Sequence, residues 1–157
     1  MERYFPVRVL VQRVSEARVE VDGGIVGRIG RGLLLFIGIG HEDTDSILEP
    51  MAQKIVNLRI FADEDEKMNR SLLDISGEIL AVSQFTLHAD CRKGRRPNFM
   101  QAAPPETGAR LFDLFTARLH AAGVAVATGR FGAMMDVRLV NDGPVTIWLD
   151  SVELGMH

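Results

Sequence analysis

The chain has 157 residues, 46% hydrophobic and 25% charged, with a net charge of −3: enough for one domain with a sizeable core, and the wrong overall sign for coating nucleic acid through bulk electrostatics. The longest apolar run, at residues 33–37, is far too short to span a bilayer, and no N-terminal stretch has the pattern of a signal peptide. Cys91 is the single cysteine, which excludes an intramolecular disulfide framework and fits a reducing, cytoplasmic setting.

Residues 1–6 (MERYFP) carry no clear pattern and read as an extension ahead of the first strand. Residues 8–14 then alternate, Arg8, Leu10, Gln12 and Val14 against Val9, Val11 and Arg13, as a strand with one largely apolar face does. The alternation resumes at 18–21, and Asp22-Gly23-Gly24 is a hairpin signal leading to a returning strand at 25–29. Gly30-Arg31-Gly32 turns the chain again into a buried strand at 33–40, so the front of the chain reads as a β-meander. Its glycines do not make a dinucleotide fingerprint, because Gly38-Ile39-Gly40 is followed by Asp43 where the third glycine should stand.

A helix follows, with Ser46 and Glu49 spaced as a capping box and Ile47, Met51, Ile55 and Leu58 on one face. Pro50 requires that helix to begin close to Ser46. Ile60-Phe61 reads as a brief strand, residues 63–67 (DEDEK) as a solvated loop, and residues 72–75 as a short edge strand before the turn at Ser76-Gly77.

The stretch with most chemistry comes next. Residues 79–82 (ILAV) form a continuous apolar run, as in a strand buried on both faces, and it stops abruptly at Ser83-Gln84-Phe85-Thr86. Arg92, Lys93, Arg95 and Arg96 then cluster around Gly94. A rigid strand delivering polar groups beside a short cationic loop suits a phosphate-bearing ligand next to a reactive carbonyl. The same residues also fit a core strand that simply leaves the sheet into a solvated basic turn.

Pro104-Pro105-Glu106 starts a second helix whose apolar face is Leu111, Phe112, Leu114, Phe115 and Leu119, with Gly123 at its end. Strands are expected at 124–128, 134–140 and 145–149, with Asn141-Asp142-Gly143-Pro144 between the last two, and residues 152–157 as a loose tail. The order of elements predicts one mixed α/β domain over residues 7–151, built of two packed β-sheets with helices on one outer side.

Conventional side-chain catalysis finds little support. His41, His88, His120 and His157 form no metal-binding pair, Cys91 has no second cysteine, and no cofactor or metal is expected. His88 and Cys91 are close enough in sequence to suggest a cysteine nucleophile, but no third group orients them. Ser83 and Thr86 carry hydroxyls without an elbow motif or an adjacent base. What remains is backbone chemistry. A strand ending in Ser-Gln-Phe-Thr can present the N–H groups of Phe85 and Thr86 to a developing oxyanion. Gly143-Pro144 allows close backbone approach, and a bond of this type between strands is either cis or part of a plain trans turn.

At this point the sequence resembles the D-aminoacyl-tRNA deacylases of the bacterial and eukaryotic type, the D-tyrosyl-tRNA deacylase family. The resembling segments are VRVLVQRV from Val7, KIVNLRIF from Lys54, VSQFTL from Val82, GRRPNF from Gly94, TGRFGAMM from Thr128 and VNDGPVT from Val140. Ser-Gln-Phe-Thr and Asn-x-Gly-Pro, about sixty residues apart, are specific in combination. The resemblance implies a three-layer β/β/α deacylase-type fold and a homodimer with active sites at the subunit interface. It further implies that Ser83, Gln84, Phe85 and Thr86 of one subunit meet a cis Gly143-Pro144 of the other, which excludes L side chains. Cleavage of glycyl esters is then expected as well, because glycine has no side chain to exclude. In the family the tRNA 2′-hydroxyl assists ester hydrolysis, and Thr86 is a minority candidate for nucleophile. By the same analogy Arg13 braces the Gly-Pro loop, and Phe131 and Met135 line the substrate pocket. The basic residues Arg92, Lys93, Arg95 and Arg96 are the candidates for tRNA phosphates. Two departures stand out: residues 1–6 precede the family's usual start, and Pro50 lies within the first helix. A different class of reading, a non-catalytic dimeric RNA-binding module, would use the basic loop and Phe85 for stacking on the tRNA end.

Overall fold

The computed structural model describes residues 6–41 and 45–156; residues 1–5 of the expected extension, and His157 of the expected tail, lie outside them. The elements run β1 (Arg8–Val21), β2 (Gly24–Ile29), β3 (Gly32–Gly38), α1 (Asp45–Asn57), β4 (Phe61–Ala62), β5 (Met68–Arg70), β6 (Glu78–Ser83), a 3-10 turn (Phe85–His88), α2 (Pro105–Ala121), β7 (Ala125–Thr128) and β8 (Asp136–Asp150).

β1 organises the sheet. Its first half pairs antiparallel with β3 and its second half with β2, while β8 runs antiparallel along its other edge from Arg8↔Asp150 to Glu20↔Asp136. β6 joins β3 in parallel, and β7 joins β6 in parallel. β2 folds back over β6 and β7, where a side chain on Gly27 would collide with the Thr128 carbonyl. The two packed β layers expected from the sequence are thus present, as two halves of one six-stranded sheet.

This folding-over explains the continuous apolar runs. Leu33, Leu35 and Ile37 of β3, with Ile79 and Ala81 of β6, pack in one core with Met51 and Ile55 of α1 and Leu111, Phe115 and Leu119 of α2. The alternate residues Leu34, Leu80 and Val82 pack with Val14, Ala17 and Val19 of β1 and Ile29 of β2 in a second core. Strands in the middle of three layers bury both faces, so their period-2 signal vanishes.

Several local expectations are corrected. The strands expected at 8–14 and 18–21 are one, and so are those expected at 134–140 and 145–149; pairing between β1 and β8 carries each across its irregularity. Residues 72–75 are not a strand. Ser71 and Asp74 exchange side chain-to-backbone hydrogen bonds (2.8 and 3.1 Å) and hold a turn that buries Leu72. The short strand lies earlier, at β5, and pairs with β4. The acidic stretch forms the connecting loop, with Asp63 Oδ1 accepting the N–H groups of Asp65 and Lys67. Helix α1 already includes Asp45, so Ser46 is inside its first turn and does not cap it. Pro50 sits on the exposed side one turn in, where the Ser46 carbonyl it leaves unbonded can be hydrated. The tail is not loose over residues 152–156. Ser151 Oγ accepts the Val7 N–H at 3.0 Å, Met156 N–H donates to the Ser151 carbonyl at 2.9 Å, and Met156 packs against the core. Pro6, in the expected extension, is itself buried.

Candidate active site

The end of β6 becomes a 3-10 turn because β3 stops beside it at a glycine. Gln84 N–H still donates to the Ile37 carbonyl at 2.8 Å, continuing the parallel ladder by one bond. The chain then tightens, with Leu87 N–H on the Gln84 carbonyl at 3.3 Å and Ala89 N–H on the Thr86 carbonyl at 3.0 Å. A Cβ on Gly38 would stand 3.0 Å from Leu87 Cβ and 3.1 Å from the Gln84 carbonyl, so only glycine lets the turn pack this closely. The N–H groups of Phe85 and Thr86 precede the first bond of the turn and carry the unshared donor character of a helix start. Gln84 Nε2 is in hydrogen-bond contact with Thr86 Oγ1, and Phe85 and Thr86 are exposed.

A cavity of about 720 Å³ opens beside this turn. Val82, Ser83, Gln84 and Phe85 form one wall, residues 102–105 with Phe99 a second, and residues 131–135 with Val137 a third. Phe131 and Met135, assigned by resemblance to a substrate pocket, are among the residues around this cavity. Gly129 leaves room for Met135, whose sulfur would stand 2.7 Å from a Cβ there. Phe131 leans on Phe112 of α2, with ring centres 6.4 Å apart. The second wall is stitched to the end of β3 by Ala103 N–H to the Ile39 carbonyl (3.0 Å) and His41 N–H to the Gln101 carbonyl (2.9 Å).

The other half of the expected site lies apart. Gly143 and Pro144 are exposed and are not among the residues lining this cavity. Their peptide bond is cis. In the β1–β8 ladder Gln12 faces Thr146 and Val14 faces Asn141, so residues 142–145 bulge opposite Arg13. Asn141 clasps the bulge, accepting the Val145 N–H at 2.7 Å and donating to the Val145 carbonyl at 3.1 Å. Arg13 fills it from behind, with Nε on the Asp142 carbonyl at 2.8 Å and NH1 on the Ile60 carbonyl at 2.7 Å. Gly143 has φ +144°, and a Cβ there would stand 2.9 Å from the Val145 nitrogen.

The basic loop is pinned at its neck by paired backbone bonds between Asp90 and Asn98, 2.7 and 2.9 Å. Arg92 is bound bidentately by Asp90 (Nε–Oδ1 2.9 Å, NH2–Oδ2 2.7 Å), which holds the Asp90 carboxyl at a pKa of about 2. Lys93, Arg95 and Arg96 are exposed and make no ion pair among the described residues. Phe99, just past the loop, meets Phe85 edge-to-face with centroids 5.1 Å apart and joins the loop to the cavity.

The cysteine–histidine arrangement is not assembled: His88 is fully buried with Nε2 on the Gly38 carbonyl at 3.1 Å, whereas Cys91 is exposed. Among the described residues no group of three or more His, Cys, Asp or Glu side chains could hold a metal ion, and no helix is long and apolar enough to cross a membrane. Sequence reasoning missed Phe99 as a cavity wall, although it closes the quoted GRRPNF segment, and missed Arg8 and His88 as supports of the turn. Their signal was weak: a lone cation at a strand start and a lone histidine after a polar run.

With this geometry in hand, comparison with known proteins is direct. The family model described as D-Tyr-tRNA(Tyr) deacylase matches residues 10–150. A D-aminoacyl-tRNA deacylase of Thermomicrobium roseum is 62% identical over 148 residues, covering 94% of this chain and 96% of that protein. One of Brevibacillus brevis is 61% identical, covering 92% of this chain and all of the relative (100%). Among solved structures, a c-Myc DNA unwinding element binding protein superposes with a TM-score of 0.86 at 43% identity, covering 90% of this chain and 97% of that one. A probable eukaryotic D-amino acid tRNA deacylase, 24% identical with a TM-score of 0.79 over 92% of this chain and 99% of that one, shares the fold. The match spans both the cavity-bearing turn and the Gly143–Pro144 bulge, and the chain belongs to the D-Tyr-tRNA(Tyr) deacylase family.

Proposed function

We propose that this chain is a D-aminoacyl-tRNA deacylase, a hydrolase that cleaves the ester between a D-amino acid, or glycine, and the terminal adenosine of tRNA while sparing L-aminoacyl esters. Its family and its relatives at about 60% identity support the activity. The observation that carries the mechanism is the cavity at the end of β6, bordered by the paired-down turn of Ser83, Gln84, Phe85 and Thr86 and lacking a side-chain triad.

In this reading the ester carbonyl oxygen sits against the N–H groups of Phe85 and Thr86, which stabilise the negative charge that grows on it as water adds. The carbon–oxygen bond to the ribose then breaks, and the tRNA 2′-hydroxyl assists the departing 3′-oxygen. The contact between Gln84 and Thr86 Oγ1 supports a positioning role for Thr86 over a nucleophilic one. Gly143 and Pro144 act on the cavity of a second copy of the chain, in a homodimer. Three features favour this: their exposure, their absence from their own cavity, and the exposed apolar side chains of Phe85, Phe131 and Met134 at the cavity mouth. Their carbonyls hold the substrate's α-amino group and leave no room for an L side chain, with Arg13 as the brace. Lys93, Arg95 and Arg96 meet phosphates of the acceptor stem, with Arg92 partly neutralised by Asp90. A tRNA substrate and the lone cysteine both fit the cytoplasm.

The test is release of amino acid from matched D- and L-aminoacyl-tRNA by the purified protein, beside Thr86→Ala. Rapid D-ester cleavage with the L-ester spared is expected, and a mutant retaining most of the rate supports backbone catalysis. The exposed Phe85–Phe99 pair beside three uncompensated cations is also what a stacking RNA-binding module would carry. Tight tRNA binding with neither ester cleaved would favour that second reading.

A further inference from the structure

The 3-10 turn that carries the Phe85 and Thr86 amides is too short to hold itself, since a single turn of this kind fixes several residues for one or two internal bonds. Its far end is held from outside by Arg8. Arg8 NH1 donates to the Leu87 carbonyl at 3.0 Å, and Arg8 Nε donates to Asp150 Oδ2 at 3.1 Å. The guanidinium carbon lies 5.6 Å from the centre of the Trp148 ring. Asp150 is itself fixed: it is buried, and its other oxygen accepts the N–H groups of Val152 (2.8 Å) and Glu153 (3.2 Å). One guanidinium thus joins the turn to the end of β8, the strand that also carries Gly143 and Pro144.

We propose that Arg8 is a positioning residue for deacylation, setting the aim of the Phe85 and Thr86 amides by tying their turn to the Trp148–Asp150 end of β8. The inference rests on the deacylase reading. The fork of the guanidinium matters, because one planar group must reach a carbonyl and a carboxylate at once while lying over an indole. Without it the turn keeps its bond to Ile37 through Gln84 and the His88–Gly38 contact, so the fold survives but the carbonyl end of the turn is released. Small displacements of oxyanion donors are expensive in rate.

The test compares the full chain with Arg8→Ala and Arg8→Lys. Kinetics with D-aminoacyl-tRNA are run beside thermal melting and amide hydrogen exchange at Leu87 and Ala89, whose N–H groups close the turn. Expected for Arg8→Ala is a kcat lower by about ten- to a hundredfold with KM within about twofold. Exchange should quicken at Leu87 and Ala89 but not along β3, and Arg8→Lys should recover part of kcat. A lowered melting temperature with kcat unchanged would reduce Arg8 to a strand-pairing ion pair and overturn the proposal. A raised KM alone would make it an RNA contact and overturn it equally. Absence of turnover in the unmodified chain would count against the deacylase reading itself; unchanged exchange at both amides would then dismiss the role of Arg8 separately.

Discussion

Arg13 stands directly behind Asp142: its Nε donates to the Asp142 carbonyl at 2.8 Å, next to the Gly143–Pro144 bond. Its NH1 simultaneously holds the Ile60 carbonyl at 2.7 Å, so the bulge is anchored to the chain entering β4. The β1–β8 ladder leaves residues 142–145 without partners on β1; the guanidinium takes up the Asp142 carbonyl there, while Asn141 takes up the Val145 N–H and carbonyl.

Removing that brace should loosen the part of the molecule assigned to excluding L side chains. For Arg13→Ala the ratio of D- to L-ester cleavage should fall at least about tenfold. Stability should drop by about 1.5–3 kcal/mol, chiefly from loss of the charged hydrogen bond to the partly buried Ile60 carbonyl, since the bond to Asp142 is exposed. Arg13→Lys should fall between, since an ammonium cannot span both carbonyls with a fixed fork. Rates on matched D- and L-aminoacyl-tRNA, with denaturant melts, check this. An unchanged ratio in Arg13→Ala would separate the brace from selectivity.

How much of this was legible beforehand follows from the range of the interactions. Leu33, Leu35 and Ile79 announced buried strands because burial on both faces leaves a continuous apolar run in the local sequence. Phe131 and Met135 come together beside the β6 end because the 131–135 loop folds back against Phe112 and Gly129, an arrangement only the fold provides. The continuity of β1 and β8 was not legible. It depends on pairing between residues such as Val14 and Asn141, far apart in the chain, which overrides the local turn signal of Asn-Asp-Gly-Pro. Residues 72–75 misled for the opposite reason: an apolar run suggested a strand, but Ser71 and Asp74 supplied a stronger local turn. Arg8 was invisible as a support because its acceptors, Leu87 and Asp150, are set by the fold.

The basic loop yields a prediction with a sign that differs between neighbours. Arg92 is already paired with Asp90, whose carboxyl stays ionised down to about pH 2, so this pair persists at any ordinary working pH. Its cation is therefore less available to RNA than those of Lys93, Arg95 and Arg96. In a plot of log binding constant against log salt for tRNA, Arg95→Ala should reduce the slope by about 0.7–0.9. Asp90→Asn should steepen it, by no more than the same amount, because the released Arg92 can reach a phosphate. Equal slopes for the unmodified chain and Arg95→Ala would take the loop off the tRNA.

His88 makes stability and activity depend on pH in a definite direction. Its ring is fully buried beneath the turn, Nε2 faces the Gly38 carbonyl at 3.1 Å, and Nδ1 has no hydrogen-bond partner among the described residues. Nε2 therefore carries the proton of a neutral imidazole. Burial pushes the pKa below the ordinary histidine value; the Gly38 carbonyl opposes this, the nearby Arg8 charge adds to it, and Asp150 opposes it more weakly. In the unfolded chain His88 takes up a proton as the pH falls through about 6.5, whereas the folded chain resists it. The unfolded state then binds more protons, so this contribution to stability is complete above that pH and is lost as the pH falls toward the depressed folded value. A His88→Gln variant, less stable near neutrality, should show a flatter dependence of melting midpoint between about pH 7.5 and about pH 5. Because the protonated ring would need an acceptor for Nδ1 that the core does not provide, the Phe85–His88 turn should yield first. Deacylation by the unmodified chain should accordingly decline toward acid pH more steeply than that by the variant. Parallel midpoint curves for the two proteins would leave His88 as inert packing.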